Sequence, residues 1–269
     1  MAKHQAAKKQ SKSRFWQVVF IAALVVFVCA AAYLGLMAFS YWQGRSTYST
    51  IVDDAGASDL GQQTQAGDLA SMTVDWAALR AQNPDIVAWV CVPGTNINYP
   101  VVQGTDNDYY LNHDFEGNQG WLANCGTVFM DYRNASDFSD ASTFIYGHHL
   151  NDGSMFSALA SFTDQDAFDA SRTVYLLTPT QNYQLASYAL VHCDQSEAIV
   201  QTSFGDDAQR AAYIQDKIDR SVVHASGIPD ALAMPQSVAF ATCDNDVSTP
   251  GRYVLFCYIQ QQCAPANGA

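Results

Sequence analysis

The sequence predicts a mainly β domain, a barrel or a sandwich with helical insertions, carried behind one helix long enough to cross a membrane. Three observations predict it. Eight short runs of β-type residues follow one another from Ile86 onward, each bounded by turn residues. Two segments between them have helical spacing, and a 25-residue stretch near the start, Phe15 to Phe39, has no charge.

The N-terminal end comes first. Lys3, Lys8, Lys9, Lys12 and Arg14 crowd the first fourteen residues, and no acid precedes Asp53. A 25-residue helix rises about 37 Å, more than the roughly 30 Å of a bilayer core. The positive-inside rule then puts the N-terminus in the cytoplasm and the rest of the chain outside. A cleaved signal peptide fits less well, because the run Ala30-Ala31-Ala32 lies inside the apolar stretch and not after it. The expected organisation is a cytoplasmic tail at 1–14, a single-pass anchor at 15–39, a stalk at 40–70 rich in Gly, Ser, Thr, Gln and Asp, an exported domain at 71–263 and a short tail at 264–269. All 26 acids lie beyond Arg45 against seven cations, so the body carries a formal charge of about −19. So acidic a surface excludes a nucleic-acid partner.

Val74 to Gln82 reads as a helix, with Asp75 as N-cap and a stop at Asn83-Pro84. The expected strands are Ile86–Val92, Ile97–Val102, Gly126–Met130, Ser142–Tyr146, Val174–Thr178, Tyr183–Cys193, Ser237–Thr242 and Tyr253–Gln260. Pro179 to Asn182 joins the fifth and sixth as a hairpin. Helices are expected at Ser154–Ser161 and at Asp206–Val223, the latter with Ala211, Ile214, Ile218 and Val222 on one stripe and Lys217 off it. Of seven cysteines, Cys29 lies in the apolar stretch and six lie beyond it, irregularly spaced and without a C-x-x-C pair. That spacing argues against a zinc ribbon, and an exported location permits disulfides whose pairing the spacing does not assign.

Three residues carry candidate chemistry. Cys243 ends an apolar strand and precedes the polar loop Asp244-Asn245-Asp246, a place where a strand fixes a reactive group and a loop exposes it. A buried thiol or a disulfide half is the competing reading. His148 follows Tyr146-Gly147 just past another strand, where an ordinary surface histidine is the alternative. His149 beside it does not suggest a metal site, since neighbours on an extended chain point opposite ways and no third ligand has a telling position. Arg252 begins the last strand, nine residues after Cys243, so a hairpin would bring it beside the thiol; a surface ion pair with Asp244 or Asp246 competes. Together they form a workable set: a thiolate that attacks, an imidazole that protonates the leaving amine, and a guanidinium that holds the developing oxyanion.

From about Val74 to Gln260 the chain resembles the class B sortases. The matching stretches are Asn83-Pro84-Asp85-Ile86-Val87-Ala88-Trp89, Pro93-Gly94-Thr95-Asn96-Ile97-Asn98-Tyr99-Pro100-Val101-Val102-Gln103, Asp106-Asn107-Asp108-Tyr109-Tyr110-Leu111, Gly126 to Asn134, and Ile145-Tyr146-Gly147-His148-His149. The order of His, then Thr-Cys, then Arg in the next strand is also kept. The resemblance implies an eight-stranded sortase-type β-barrel with N-terminal helices and a long helix before the catalytic strand. It implies a cysteine transpeptidase that needs no cofactor. Such an enzyme cleaves a C-terminal sorting signal, of the Asn-Pro-x-Thr-Asn kind, after its Thr and passes the secreted protein to an amine of a peptidoglycan precursor. His148, Cys243 and Arg252 match the family's catalytic residues, and Tyr146, Asn96, Thr242 and Asp244 match positions near the sorting signal.

The chain departs from the family's T-L-x-T-C signature, reading Ala239-Phe240-Ala241-Thr242-Cys243, which is expected to alter the pocket floor. It has no Asp-Pro-aromatic lid motif of the pilin-polymerising class C enzymes, although pilin polymerisation by a class B enzyme, or hydrolysis of the same acyl-enzyme, would use the same residues. A non-catalytic tethered binding module would be expected to lack one of the three.

Overall fold

The computed structural model describes residues 2–63, 68–119, 125–243 and 251–266. Helix α1 (Ala2–Asp54) runs without a break and includes the one described helix apolar and long enough to cross a membrane, with no burial of its apolar window inside the protein. A short α2 (Leu60–Gln63) and a 3-10 turn at Leu69–Ser71 follow. Helix α3 (Trp76–Gln82) starts as the sequence predicts. The Asp75 carboxylate accepts the Ala78 N–H at 2.9 Å, and the chain leaves the helix at Asn83, before Pro84.

Eight strands then close a barrel: β1 (Ile86–Cys91), β2 (Asn98–Val102), β3 (Val128–Met130), β4 (Ser142–Gly147), β5 (Thr173–Leu177), β6 (Asn182–Asp194), β7 (Ser237–Cys243) and β8 (Gly251–Cys263). The strand order around it is β1-β2-β3-β4-β7-β8-β6-β5, with β5 paired back to β1. The β2·β3 and β4·β7 pairs are parallel and the others antiparallel. A sandwich is thereby excluded. Closure leaves the strands without free edges.

The helices between strands are α4 (Tyr109–Asn112), α5 (Ala158–Ser161), α6 (Gln165–Ala170) and α7 (Asp207–Asp219). The segment expected to be helical from Ser154 is helical only from Ala158, because Ser154 to Ser157 turn instead and Met155 takes a positive φ of 54°. Helix α6 was not expected, being only six residues long. Helix α7 opens on Asp206, whose carboxylate accepts the Gln209 N–H at 2.8 Å, and its Ile214 packs with Phe144, Ala239, Val254 and Phe256 on the outer face of the sheet. Two positions differ from the predicted stripe. Val222 lies past the end of α7 and is half exposed, while Lys217 is buried, its ammonium 2.7 Å from Asp216 and 4.4 Å from the centre of the Tyr213 ring.

The larger difference is at the expected stalk. Residues 44–60 are the end of α1 and the turn after it, and Tyr48, Ile51, Ala55, Ala57 and Leu60 are buried in the same core as Trp89, Val101 and Leu177. The polar composition that suggests a stalk belongs to the outward side of this helix end; Tyr48, Ile51 and Ala55 follow at three- and four-residue spacing, as an amphipathic helix requires, and Ala57 and Leu60 continue the burial through the turn after it. Ile51→Ala should therefore cost about 2–5 kcal/mol of unfolding free energy, measured by chemical denaturation, where a residue in a solvated stalk would change it by no more than about 0.5 kcal/mol.

Candidate active site

The register of three neighbouring strands builds the site. In the parallel β4·β7 pair Tyr146 lies opposite Ala241 and Gly147 opposite Thr242, so His148 and Cys243 are the next residues along. In the antiparallel β7·β8 pair Cys243 lies opposite Arg252. Side chains alternate along a strand and directly paired residues share a face. Phe144 and Tyr146 lead to His148, Ala239 and Ala241 lead to Cys243, and Arg252 leads to Val254 and Phe256. Phe144, Tyr146, Ala239, Ala241, Val254 and Phe256 of these series lie on the face that packs on α7.

His148, Arg252, Tyr146 and Thr242 line one cleft of about 250 Å³ at this rim, together with Asn107, Leu111, Phe129, Gln195 and Ala241. The Nε2 atom of His148 is 2.7 Å from the Leu111 carbonyl oxygen. A carbonyl only accepts, so this bond puts the ring proton on Nε2 and leaves Nδ1 as the basic nitrogen. Gly126, at φ +53°, lies so close to the ring that a Cβ there would sit 2.8 Å from Cδ2, a position only glycine can fill. The Arg252 Nη2 donates to the Gln195 carbonyl, while its buried Nε and the buried Thr242 hydroxyl have no hydrogen-bond partner among the described residues. Both groups belong to residues that line the cleft.

A carboxylate organises the opposite wall. Asp131 is fully buried and accepts from the Tyr146 hydroxyl at 3.0 Å, from Asn107 Nδ2 at 3.1 Å, and from Arg133 through Nε and Nη2 at 2.9 and 2.8 Å. Burial works against its charge, but the Arg133 fork, the Arg133 backbone N–H and the two other donors outweigh it and hold the carboxyl below its ordinary range. Burial and this carboxylate push the Tyr146 phenol upward, so Tyr146 serves as a neutral donor.

The other described cysteines beyond α1 are poor nucleophiles. Burial pushes Cys91 and Cys257 up to about 12 and Cys125 up to about 11, and raises Cys193 and Cys263 as well. No disulfide joins the described cysteines. Nor, among the described residues, does any group of three or more His, Cys, Asp or Glu side chains converge to hold a metal ion.

Of the positions expected near a substrate, Tyr146 and Thr242 line the cleft and Asp244 lies outside the described residues. Asn96 does not join them. It is exposed, with Nδ2 3.4 Å from the Gly153 carbonyl, and lines a different cleft against Tyr48 and Val52 of α1, because the turn before β2 projects toward that helix. The departure at Phe240 does not alter the cleft floor either. Phe240 belongs to the alternate set of β7 residues, faces the barrel interior, and meets Phe156 edge to face at 6.0 Å. Residue-level reading of the sequence missed Asn107, Leu111 and Gln195. Leu111 and Gln195 hold the site through backbone carbonyls, which leave no side-chain signal; Asn107 lies in a segment that matches the class B pattern, without a role attached to it.

No protein-family model matches the chain. Two curated proteins do. The sortase B of Listeria monocytogenes is 32% identical over 232 residues, covering 82% of this chain and 91% of that protein. The sortase B of Staphylococcus aureus is 28% identical over 178 residues, covering 66% of this chain and 71% of that protein. Among solved structures, a Staphylococcus aureus sortase B–substrate complex superposes with a TM-score of 0.69 at 25% identity, covering 83% of this chain and 99% of that one.

The depressed Asp131 carboxyl makes a pH prediction. A carboxylate favoured by the fold stabilises it above the unfolded value near 3.9 and loses that contribution as pH falls through the folded value. Denaturation midpoints should therefore decline as pH is lowered from about 5 to about 2, and Asp131→Asn should flatten part of that decline; an unchanged slope would show that the Asp131 network does not favour the charged form.

Proposed function

The chain belongs to the sortase B family of cysteine transpeptidases, and from that premise we propose that it is a membrane-anchored sortase acting outside the cell through Cys243, His148 and Arg252. The register of β4, β7 and β8 carries the reading, because it brings residues distant in sequence to one rim. In this reading the Cys243 thiolate attacks the carbonyl carbon of the Thr in a C-terminal sorting signal. The carbonyl electrons move to oxygen, and the oxyanion is held by the Arg252 guanidinium. Collapse of the tetrahedral adduct breaks the peptide bond, and the departing amine takes its proton from His148, leaving a thioester. An amine of a peptidoglycan precursor then attacks the thioester, gives a proton back to His148, and releases the thiolate. Tyr146 and Thr242, which line the cleft, and Asp244, next in sequence to Cys243, are proposed to contact the sorting signal.

Membrane attachment is proposed on three supports. The apolar part of α1 is exposed throughout, the basic cluster precedes it, and aromatic residues mark both of its ends, Phe15 and Trp16 at one and Phe39 and Trp42 at the other. We take the tail at 1–14 to be cytoplasmic, 15–39 to span, and the exported domain to begin at Gly44 and not at residue 71, since the buried residues of α1 belong to it.

Mass spectrometry of the chain with a sorting peptide, with and without an added amine, tests the function: a thioester at Cys243 and an amine-dependent product are expected. Cys243→Ala should abolish both, and full activity in that variant would end the proposal. Arg252→Lys should lose nearly as much turnover as Arg252→Ala, since an ammonium lacks the planar fork; wild-type turnover would mean that charge alone suffices. His148→Ala should be severe and His149→Ala mild in the same assay, and equal losses would reassign the acid–base role.

A further inference from the structure

The last turns of α1 touch the Gly126 wall behind the His148 ring and the loop that leaves His148. Gly44 meets Cys125 so closely that a Cβ there would lie 2.5 Å from its sulfur. One turn later the buried Tyr48 hydroxyl donates to the Gly126 carbonyl at 2.6 Å, and Gly126 is the residue packed against the imidazole. On the same stretch of helix the Arg45 Nε lies 2.7 Å from Asp152 Oδ2, and its Nη2 donates to the Asp152 carbonyl. Asp152 sits at the tip of a loop that starts at His148 and is closed by the Phe156 N–H donating to the His148 carbonyl at 2.9 Å. The far side of that loop is held by Tyr99, whose hydroxyl accepts the Met155 N–H at 3.1 Å and whose ring packs edge to face on Tyr48.

We propose that the turn from Gly44 to Tyr48 is a positioning element for His148, so that the helix that enters the membrane also sets the geometry of the acid–base residue. The proposal rests on the assignment of His148 made above. Tyr48 fixes the wall behind the ring, and Arg45 fixes the loop that leaves it. The Arg45 side chain is mostly exposed while that of Asp152 is largely buried, so solvent screens the pair from one side and limits what it adds to stability. Losing it is therefore expected to show in catalysis and not in melting. The helix is unbroken between Phe39, at the end of the apolar stretch, and Arg45, a rise of about 9 Å, so the cleft is held at a set height and orientation over the bilayer. A catalytic domain cut at residue 71 would lose both contacts.

The test uses the full chain in lipid nanodiscs, with quenched peptides of the Asn-Pro-x-Thr-Asn kind as acyl donors and triglycine as the amine. Arg45→Ala, Tyr48→Phe and the double variant are compared with His148→Ala. The double variant is expected to lose about ten-fold or more in kcat, as misplacement of a catalytic group does. Its KM for the peptide should stay within about two-fold; Arg45→Ala alone should lower kcat while keeping the melting temperature near that of the unaltered chain, with Arg45→Lys falling between the two, whereas Tyr48→Phe should also lower the melting temperature because it removes a buried hydrogen bond. Unaltered kcat in the double variant while His148→Ala is inactive would overturn the positioning role alone. A loss that tracks melting temperature, or that appears in KM instead of kcat, would make α1 a scaffold and overturn it too. Full activity in His148→Ala, or no turnover by the unaltered chain, would remove the underlying assignment and the positioning role with it.

Discussion

The site depends on one constraint, the locked register of β4, β7 and β8. Parallel strands end on the same side, so β4 and β7 deliver His148 and Cys243 to one rim although 94 residues of chain separate them. The antiparallel β8 begins where β7 ends and brings Arg252 back to the same place. A slip of one residue in any of these strands would turn its whole side-chain series to the opposite face. The apolar series Phe144, Ala239, Ala241, Val254 and Phe256, buried against Ile214 of α7, makes such a slip costly. Packing on the outside of the barrel thus protects the alignment of the reactive rim.

The interior supports the same rim from the other side. Gly147 has no side chain because Phe156 occupies that space; a Cβ would fall 2.7 Å from the Phe156 ring. Phe156 in turn rests edge to face on Phe240, the residue that replaces leucine in the family signature. The substitution is therefore a packing change beneath the loop that leaves His148, and it leaves the lining of the cleft to Ala241 and Thr242.

Charge is distributed with the same economy. The body is strongly acidic, yet Arg45, Arg133 and Arg252 lie at the loop, wall and rim of the His148 region. Arg133 is spent on Asp131, which makes that carboxylate an acceptor for Tyr146 and Asn107, and Arg45 is spent on Asp152. Arg252 is held through Nη2 by the Gln195 backbone carbonyl, and its buried Nε has no hydrogen-bond partner among the described residues.

The alternation of apolar and polar residues and the turn residues between the runs were enough to read eight strands, and the order of His148, Cys243 and Arg252 at strand ends was enough to nominate three side chains. Those are local properties, written in neighbouring residues. Closure of the strands into a barrel, and the choice of which strand ends meet, arise from pairing between distant segments, which no local pattern encodes. The same reason explains the stalk that became a buried helix end. Tyr48 and Ile51 look ordinary in a polar stretch until Trp89 and Val101 supply the surface they cover. It also explains Asn96, whose sequence context matched a substrate position but whose turn leans toward α1. Leu111 and Gln195 act through main-chain oxygens whose direction exists only once the chain is folded. Sequence alone determined the strands, the anchor-length helix and the chemistry available; tertiary structure decided which groups share a rim and what holds them there, because only long-range packing brings backbone carbonyls, the end of α1 and three strand ends together.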